Sequence, residues 1–257
     1  MNLRTFVLDL LQRSGETALR YFRTDLGVDN KAGGGAYDPV TIADRAIEEL
    51  LRAAIRENYP AHGIIGEEFG AYQPEARWQW YVDPIDGTRA FMSGSPLWGT
   101  LIGLADAGQP VLGALGQPFT GEVFFAQEGA GELIRGDQRR PLQTRATAVL
   151  GQAVLYSTDP DMFSGEAAQR FAALSERVML RRFGGDCYNY GLLAAGHIDL
   201  VAEAGLSPYD IVPLIPLLEA AGAVITDWDG GSAAGGGRVL AAANADLHAQ
   251  ALAVLAG

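Results

Sequence analysis

The sequence predicts an α+β fold of stacked helical and sheet layers, on three observations. Helical and strand patterns are mixed along the chain. The apolar runs between residues 97 and 137 are short, are separated by Gly, Pro and Asp, and stand together as an antiparallel meander requires. No Gly-x-Gly-x-x-Gly follows a first strand, which sets a doubly wound parallel sheet aside. The 257 residues, 48% of them hydrophobic, suit one large domain or two closely packed halves around a substantial core.

Each element has its own signal. Leu3, Phe6, Val7, Leu10, Leu11 and Ala18 recur at three- and four-residue steps and predict a first helix. Residues 29–39, "DNKAGGGAYDP", read as a flexible loop. Thr41 opens a second helix with Ile42, Ala46, Ile47, Leu50, Leu51 and Ile55 on one side. "GIIGEEFG" at 63–70 is a short strand ending in two glutamates, and "WQWYV" at 78–82 is a second strand. The meander follows in "LWGTLIGLAD", "PVLGALGQP", "GEVFFAQEG" and "GELIRGD".

The pattern changes near residue 150. An N-terminal α+β half, 1–145, is thus expected to precede a C-terminal α/β half, 146–257. In the latter, "AVLYST" and "VMLRRF" are strands flanking a helix over 164–176. Then come a short helix at 187–196, a strand at 197–205 and a helix over 209–222. Strands at 223–230 and 238–243 and a closing helix at 245–257 complete the chain. "GGSAAGGG" at 230–237 reads as a surface hairpin loop.

Composition excludes several classes. A formal charge of −12 with no basic cluster disfavours nucleic-acid binding. No apolar run is long enough to span a membrane, and the N-terminus is a helix interrupted by Asp9 and Arg13 rather than a signal peptide. A cytoplasmic enzyme is the expected class. Cys187, the only cysteine, reads as a buried, inert thiol, and His62 and His197 as a loop and a turn residue.

The chemistry is concentrated in carboxylates. Asp83 ends the "WQWYV" strand; Pro84 stiffens the following turn and removes a donor. Asp86 can then come round to the same side, with the Ile85 carbonyl pointing inward between them. Two carboxylates and a carbonyl are the hard oxygen ligands that Mg²⁺ takes. Gly87-Thr88 can open a helix through "RAFM", whose first N–H groups suit a phosphate. Asp-Pro or Asp-Gly alone marks only a turn. Here Glu67 and Glu68 at a strand end, and Asp44 and Asp210 near helix starts, add further acid-bearing segments.

"GEE" at 66–68, "DPIDGT" at 83–88, "DPVTIADRAIEELL" at 38–51 and "YDIVPLIPLLEAAGAVITDWDG" at 209–230 resemble the inositol monophosphatase superfamily, in order and over nearly the whole chain. The resemblance implies a five-layered α-β-α-β-α sandwich, usually a homodimer, and a Mg²⁺-dependent, lithium-sensitive phosphatase. By motif position, Glu67, Asp83 and the Ile85 carbonyl should hold a first Mg²⁺, Asp83, Asp86 and Asp210 a second, with a weaker third sharing Glu67. Thr88 and Asp44 match the pair that orients and deprotonates the attacking water, and the Gly87 and Thr88 amides match the phosphate contacts. One departure is upstream, where "GGGAYDPVT" puts Asp38 in place of a common Ser and loosens the loop with Gly33–Gly35.

Residues 183–222 are most similar to the histidinol-phosphate phosphatase branch, whereas inositol-directed members usually carry Trp-Asp where this chain has Tyr209-Asp210. Asp186 and Glu203 fall in segments expected to line the leaving-group side, where acids suit the ammonium and imidazole of histidinol phosphate. Arg89 is expected to reach phosphate or a dimer partner, and Asn189 to touch substrate. Inositol or another sugar-alcohol monophosphate is the alternative. A nucleotide bisphosphate is disfavoured because no basic insertion is present, and a non-catalytic binding module because it needs no water-activating pair.

Overall fold

The computed structural model describes residues 2–24, 28–30 and 39–256. Its helices are α1 (Leu3–Tyr21), α2 (Ile42–Asn58), α3 (Thr88–Met92), α4 (Gly165–Ser175), α5 (Asp186–Ala194), α6 (Pro208–Ile211), α7 (Ile215–Ala220) and α8 (Ala245–Ala256). The strands of the N-terminal part are β1 (Val28–Asn30), β2 (Pro39–Thr41), β3 (Gly63–Gly66), β4 (Gly70–Tyr72), β5 (Trp78–Asp86), β6 (Gly99–Asp106), β7 (Gln109–Gln117), β8 (Glu122–Gln127), β9 (Ala130–Arg135) and β10 (Gln138–Pro141). Those that follow are β11 (Val154–Ser157), β12 (Leu180–Phe183), β13 (Leu200–Leu206), β14 (Val224–Asp227) and β15 (Gly237–Ala242).

One sheet has eight strands in the order β10-β9-β8-β7-β6-β5-β3-β4. It is antiparallel except for the β3–β5 pair. The second has the order β12-β11-β13-β15-β14, parallel through β12, β11 and β13 and antiparallel beyond. Both are covered on both faces, so β6 reads as a continuous apolar run rather than an alternation.

Alternation decides which layer each side chain joins. Ile102 and Ala114 face outward to Phe6, Leu10, Ile47 and Leu51 of α1 and α2. Their neighbours Leu101 and Leu115 face inward to Tyr190 and Leu193 of α5 and Leu217 of α7. In the second sheet Val201 and Val239 join that inner core, while Leu200 and Leu240 pack on Leu174 of α4 and Leu247 of α8. The result is the five-layered α-β-α-β-α sandwich. Each fully buried Leu, Ile or Phe contributes about 1.5–3 kcal/mol.

Several elements differ from expectation. The helix expected over 209–222 is broken into α6 and α7, because Pro213 has no N–H to continue the ladder. The buried face of α2 is turned from the expected one. Ile42 is exposed, and the acids Asp44 and Glu48 are buried beside Ala43, Ile47 and Leu51. The ends of the loop expected at 29–39 pair as β1 and β2, whereas Gly33–Gly35 and Asp38 lie outside the described residues. Short β4 and β10 were not signalled by any apolar pattern. The 230–237 segment does join the β14–β15 hairpin, but its Ala233 is buried in the core. Among the described residues no helix is long and apolar enough to cross a membrane.

Candidate active site

The site begins with an irregularity in β5. Asp83 is paired with Leu101 of β6 and Asp86 with Gly99, so three steps on β5 match two on its neighbour. Residues three apart on a regular strand point to opposite faces; one extra residue brings them to the same face. Pro84 is tolerated there because a bulge asks for no ladder donor. Its carbonyl accepts from the buried Thr100 hydroxyl at 2.8 Å. Gly87 follows at φ 92°, a left-handed conformation that glycine adopts without strain, and starts α3.

Asp210 arrives from the other side, in the first turn of α6. Its Oδ2 accepts from the Ser207 N–H at 2.7 Å, so one oxygen caps the helix. Ligand atoms of Asp83, Asp86 and Asp210 all lie within 4.8 Å of one another. Glu67, in the turn after β3, lines the same cavity, while Glu68 is turned to Arg45 at 3.6 Å. Asp44 stands behind the cavity wall, 1% exposed.

The cavity, about 210 Å³, is also lined by Ile85, Gly87, Thr88, Asp186 and Glu203. Among the described lining residues are six acids and no Lys, Arg or His. The electrostatic cost is visible. Burial, then Glu67, Asp86, Asp210 and Asp44, push the Asp83 carboxyl well above the usual range. Burial, then Asp186 and Asp210, do the same to Asp86. Burial is also the main cause at Asp210, raised to about 7. Asp83 Oδ1 is buried without a hydrogen-bond partner. Converging oxygen donors, mutual repulsion and an orphaned buried oxygen are what a hard divalent cation would satisfy, so the residues fit Mg²⁺.

Thr88 Oγ1 lies 3.1 Å from the Ile85 carbonyl oxygen, within reach of donating to it. On the far wall, Asp186 opens α5, with burial as the main cause of a pKa raised to about 6. Glu203 also sits at a bulge, paired with Val239 while Leu206 pairs with Gly237. It is 2% exposed, and its pKa is raised by burial to about 7. Its Oε1 accepts from the Thr158 N–H at 3.0 Å and the Thr158 hydroxyl at 2.6 Å, and its Oε2 from the Tyr190 hydroxyl at 3.0 Å.

The cavity thus unites Glu67, Asp83, Ile85, Asp86, Gly87, Thr88, Asp186, Glu203 and Asp210. It does not include Arg89 or Asn189 among its lining. Arg89 pairs with Asp159 at 3.7 Å, and its charge also acts on Asp186 of the cavity wall. The Asn189 side chain is fully buried and packs against Gly185. Sequence reasoning missed Thr158, Met162 and Tyr190, which also line the cavity. Tyr190 carries a helix-interior signal only, Thr158 is the last residue of the strand expected at 153–158, and Met162 ends a short 3₁₀ turn, Pro160–Met162, that has no apolar pattern. Cys187 is buried, and burial keeps its thiol well above the usual range, in keeping with an inert role.

Comparison with known proteins agrees with this geometry. The family model described as "Inositol monophosphatase family" matches residues 2–256. The chain is 40% identical over 254 residues to the bifunctional phosphatase IMPL2, chloroplastic, of Arabidopsis thaliana, covering 95% of this chain and 72% of that protein. It is 35% identical to the histidinol-phosphatase of Mycobacterium tuberculosis, covering 95% of this chain and 94% of that one. An inositol monophosphatase structure from Zymomonas mobilis superposes with a TM-score of 0.87 at 36% identity, covering 98% and 97% of the two chains. A match along its whole length, with the carboxylates gathered in one cavity, establishes that the chain belongs to the inositol monophosphatase family.

Proposed function

We propose that this phosphoric monoester hydrolase releases phosphate from L-histidinol phosphate by attack of water, and so serves histidine biosynthesis. The observation that carries the substrate choice is the far wall of the cavity. Asp186 and Glu203 share the space with Asp83, Asp86 and Asp210, and no basic side chain is among the described lining residues. A leaving group bearing an ammonium and an imidazole complements two acids there. The similarity to a histidinol-phosphatase supports the same choice.

Glu67, Asp83, the Ile85 carbonyl, Asp86 and Asp210 would hold Mg²⁺, which when bound neutralises phosphate oxygens and makes water more acidic. The chain's own groups do the rest. The bulge of β5 aims Asp83 and Asp86 into one space, so the cations need little reorganisation. Thr88 is too weak a base alone, and Asp44, buried behind the wall, would polarise it to take the proton of the attacking water. The Gly87 and Thr88 N–H groups would receive phosphate oxygens at the start of α3. Burial excludes bulk water and strengthens each of these contacts.

Inositol 1-phosphate is the second reading, favoured by the hydroxyls of Thr158 and Tyr190 on the same wall and by the likeness to the Zymomonas mobilis enzyme. Phosphate release from histidinol phosphate, inositol 1-phosphate and a nucleotide bisphosphate, assayed in parallel with Mg²⁺, separates these. A higher kcat/KM for inositol 1-phosphate overturns the substrate choice. No Mg²⁺-dependent release from any ester would make the protein a binding module. The same reading expects a homodimer, which sedimentation equilibrium tests.

A further inference from the structure

Asp44, Glu48 and Arg52 stand one turn apart in a single stripe on α2. Glu48 is fully buried, yet it does not line the cavity. A buried carboxylate is costly unless its oxygens are satisfied, and here they are satisfied by the turn that carries Glu67. Glu48 Oε2 accepts from the Glu68 N–H at 2.7 Å, and Oε1 from the Phe69 N–H at 3.2 Å. Arg52 Nε donates to Glu48 Oε1 at 2.7 Å, and its terminal nitrogen donates to the Gly70 carbonyl. The Arg52 guanidinium also lies over the Phe69 ring, 5.9 Å from its centroid. On the near side, a β-carbon at Gly66 would overlap the Glu48 carboxylate, so only glycine lets the strand end approach so closely. Glu67 stands between these anchored residues.

We propose that Glu48 is a positioning residue: it holds the Gly66–Gly70 turn so that the Glu67 carboxylate is presented to the cavity, and thereby sets the affinity of the site for its divalent cation. This rests on the reading of Glu67 as a metal ligand. A merely structural Glu48 would support stability without governing metal affinity.

The test is Mn²⁺ binding to the full-length, metal-free protein, without substrate, followed by the EPR signal of the free ion. Four proteins are compared: wild type, Glu67→Ala, Glu48→Gln and the double variant. Glutamine keeps the volume but has one acceptor oxygen, so one of the two turn N–H groups loses its partner. Glu48→Gln should bind Mn²⁺ about tenfold more weakly or worse, as changes behind metal ligands commonly do. In the Glu67→Ala background it should cause no further loss, because the two act through one contact. Wild-type affinity in Glu48→Gln, or a loss that adds in full to that of Glu67→Ala, overturns the inference. Unchanged binding in Glu67→Ala instead overturns the reading of Glu67 itself. If Glu48→Gln does not fold by circular dichroism, Arg52→Met takes its place. It keeps packing on Phe69 while releasing Gly70 and Glu48, and the same pattern is expected; unweakened binding there overturns the inference.

Discussion

The Cys187 backbone N–H donates to Asp86 Oδ1 at 2.8 Å, joining the first turn of α5 to the bulge of β5. The bond ties the inner helical layer to the eight-stranded sheet and holds one oxygen of Asp86. Asp86→Asn can keep this bond, because an amide oxygen also accepts, while it removes a charge from a cluster of repelling acids. Mg²⁺-dependent turnover should fall by at least the about 10- to 100-fold that changes around metal ligands cause. The metal-free variant should melt no lower than the metal-free wild type. Near-normal turnover would remove Asp86 from the ligand set.

Thr100 makes a separate prediction about the bulge. Its hydroxyl is the hydrogen-bond partner of the buried Pro84 carbonyl. Thr100→Val keeps the shape and orphans that carbonyl, at a cost of about 1–3 kcal/mol. Thr100→Ser keeps the hydroxyl and should recover most of the loss. Urea denaturation of the three proteins measures this. Equal midpoints for Val and Thr would show that the bulge does not depend on the bond.

Much of the near wall was legible in the sequence because its carboxylates stand next to strong local signals. Asp83 and Asp86 close an apolar strand with Pro between them, and Asp210 and Glu67 mark an element start and end. Glu48 was illegible for the opposite reason. A glutamate among Arg45, Glu49 and Arg52 on a helix looks solvated, and only the tertiary approach of the Gly66–Gly70 turn buries it. Thr158 and Tyr190 meet Glu203 from 45 and 13 residues away in sequence, a proximity that no local pattern encodes. The α+β class was legible in the mix of helical spacing and grouped short apolar runs, and the five layers followed from the family resemblance, but the break at Pro213 was lost because the apolar spacing runs on through it.

The acid cluster makes stability depend on pH. Asp186, Asp210 and Glu203 are raised to about 6, about 7 and about 7, and Asp83 and Asp86 are raised too. Unfolded carboxyls titrate near pH 4. Between about pH 4 and 7 the folded chain therefore holds more protons than the unfolded one, and this contribution to stability is lost as pH rises. Half-buried His62 and buried His248, both held below their usual range by desolvation, slope the other way. The increment in Tm on adding Mg²⁺ isolates the acids, since the cation replaces their protons. That increment should be larger at pH 8 than at pH 5.5. An increment that is flat or falls with pH would contradict a cation held by these carboxylates.

Glu203 offers the sharpest test of substrate. Both its oxygens are engaged by Thr158 and Tyr190, so alanine would orphan three donors and confuse packing with recognition. Glu203→Gln is the cleaner change. Its carbonyl can face Thr158, its amide can donate to the Tyr190 oxygen, and only the charge goes. For a cationic leaving group this should raise KM for histidinol phosphate about tenfold, the scale of a hydrogen bond to a charged group, with kcat nearly unchanged. KM for inositol 1-phosphate should move little. The pH profile adds a second readout. With its pKa raised to about 7, Glu203 gains its charge as pH rises through that value, so wild-type KM should fall across that range and Gln should flatten the fall. A loss in kcat alone, with KM and its pH dependence unmoved, would assign Glu203 to the chemical step instead of the leaving group.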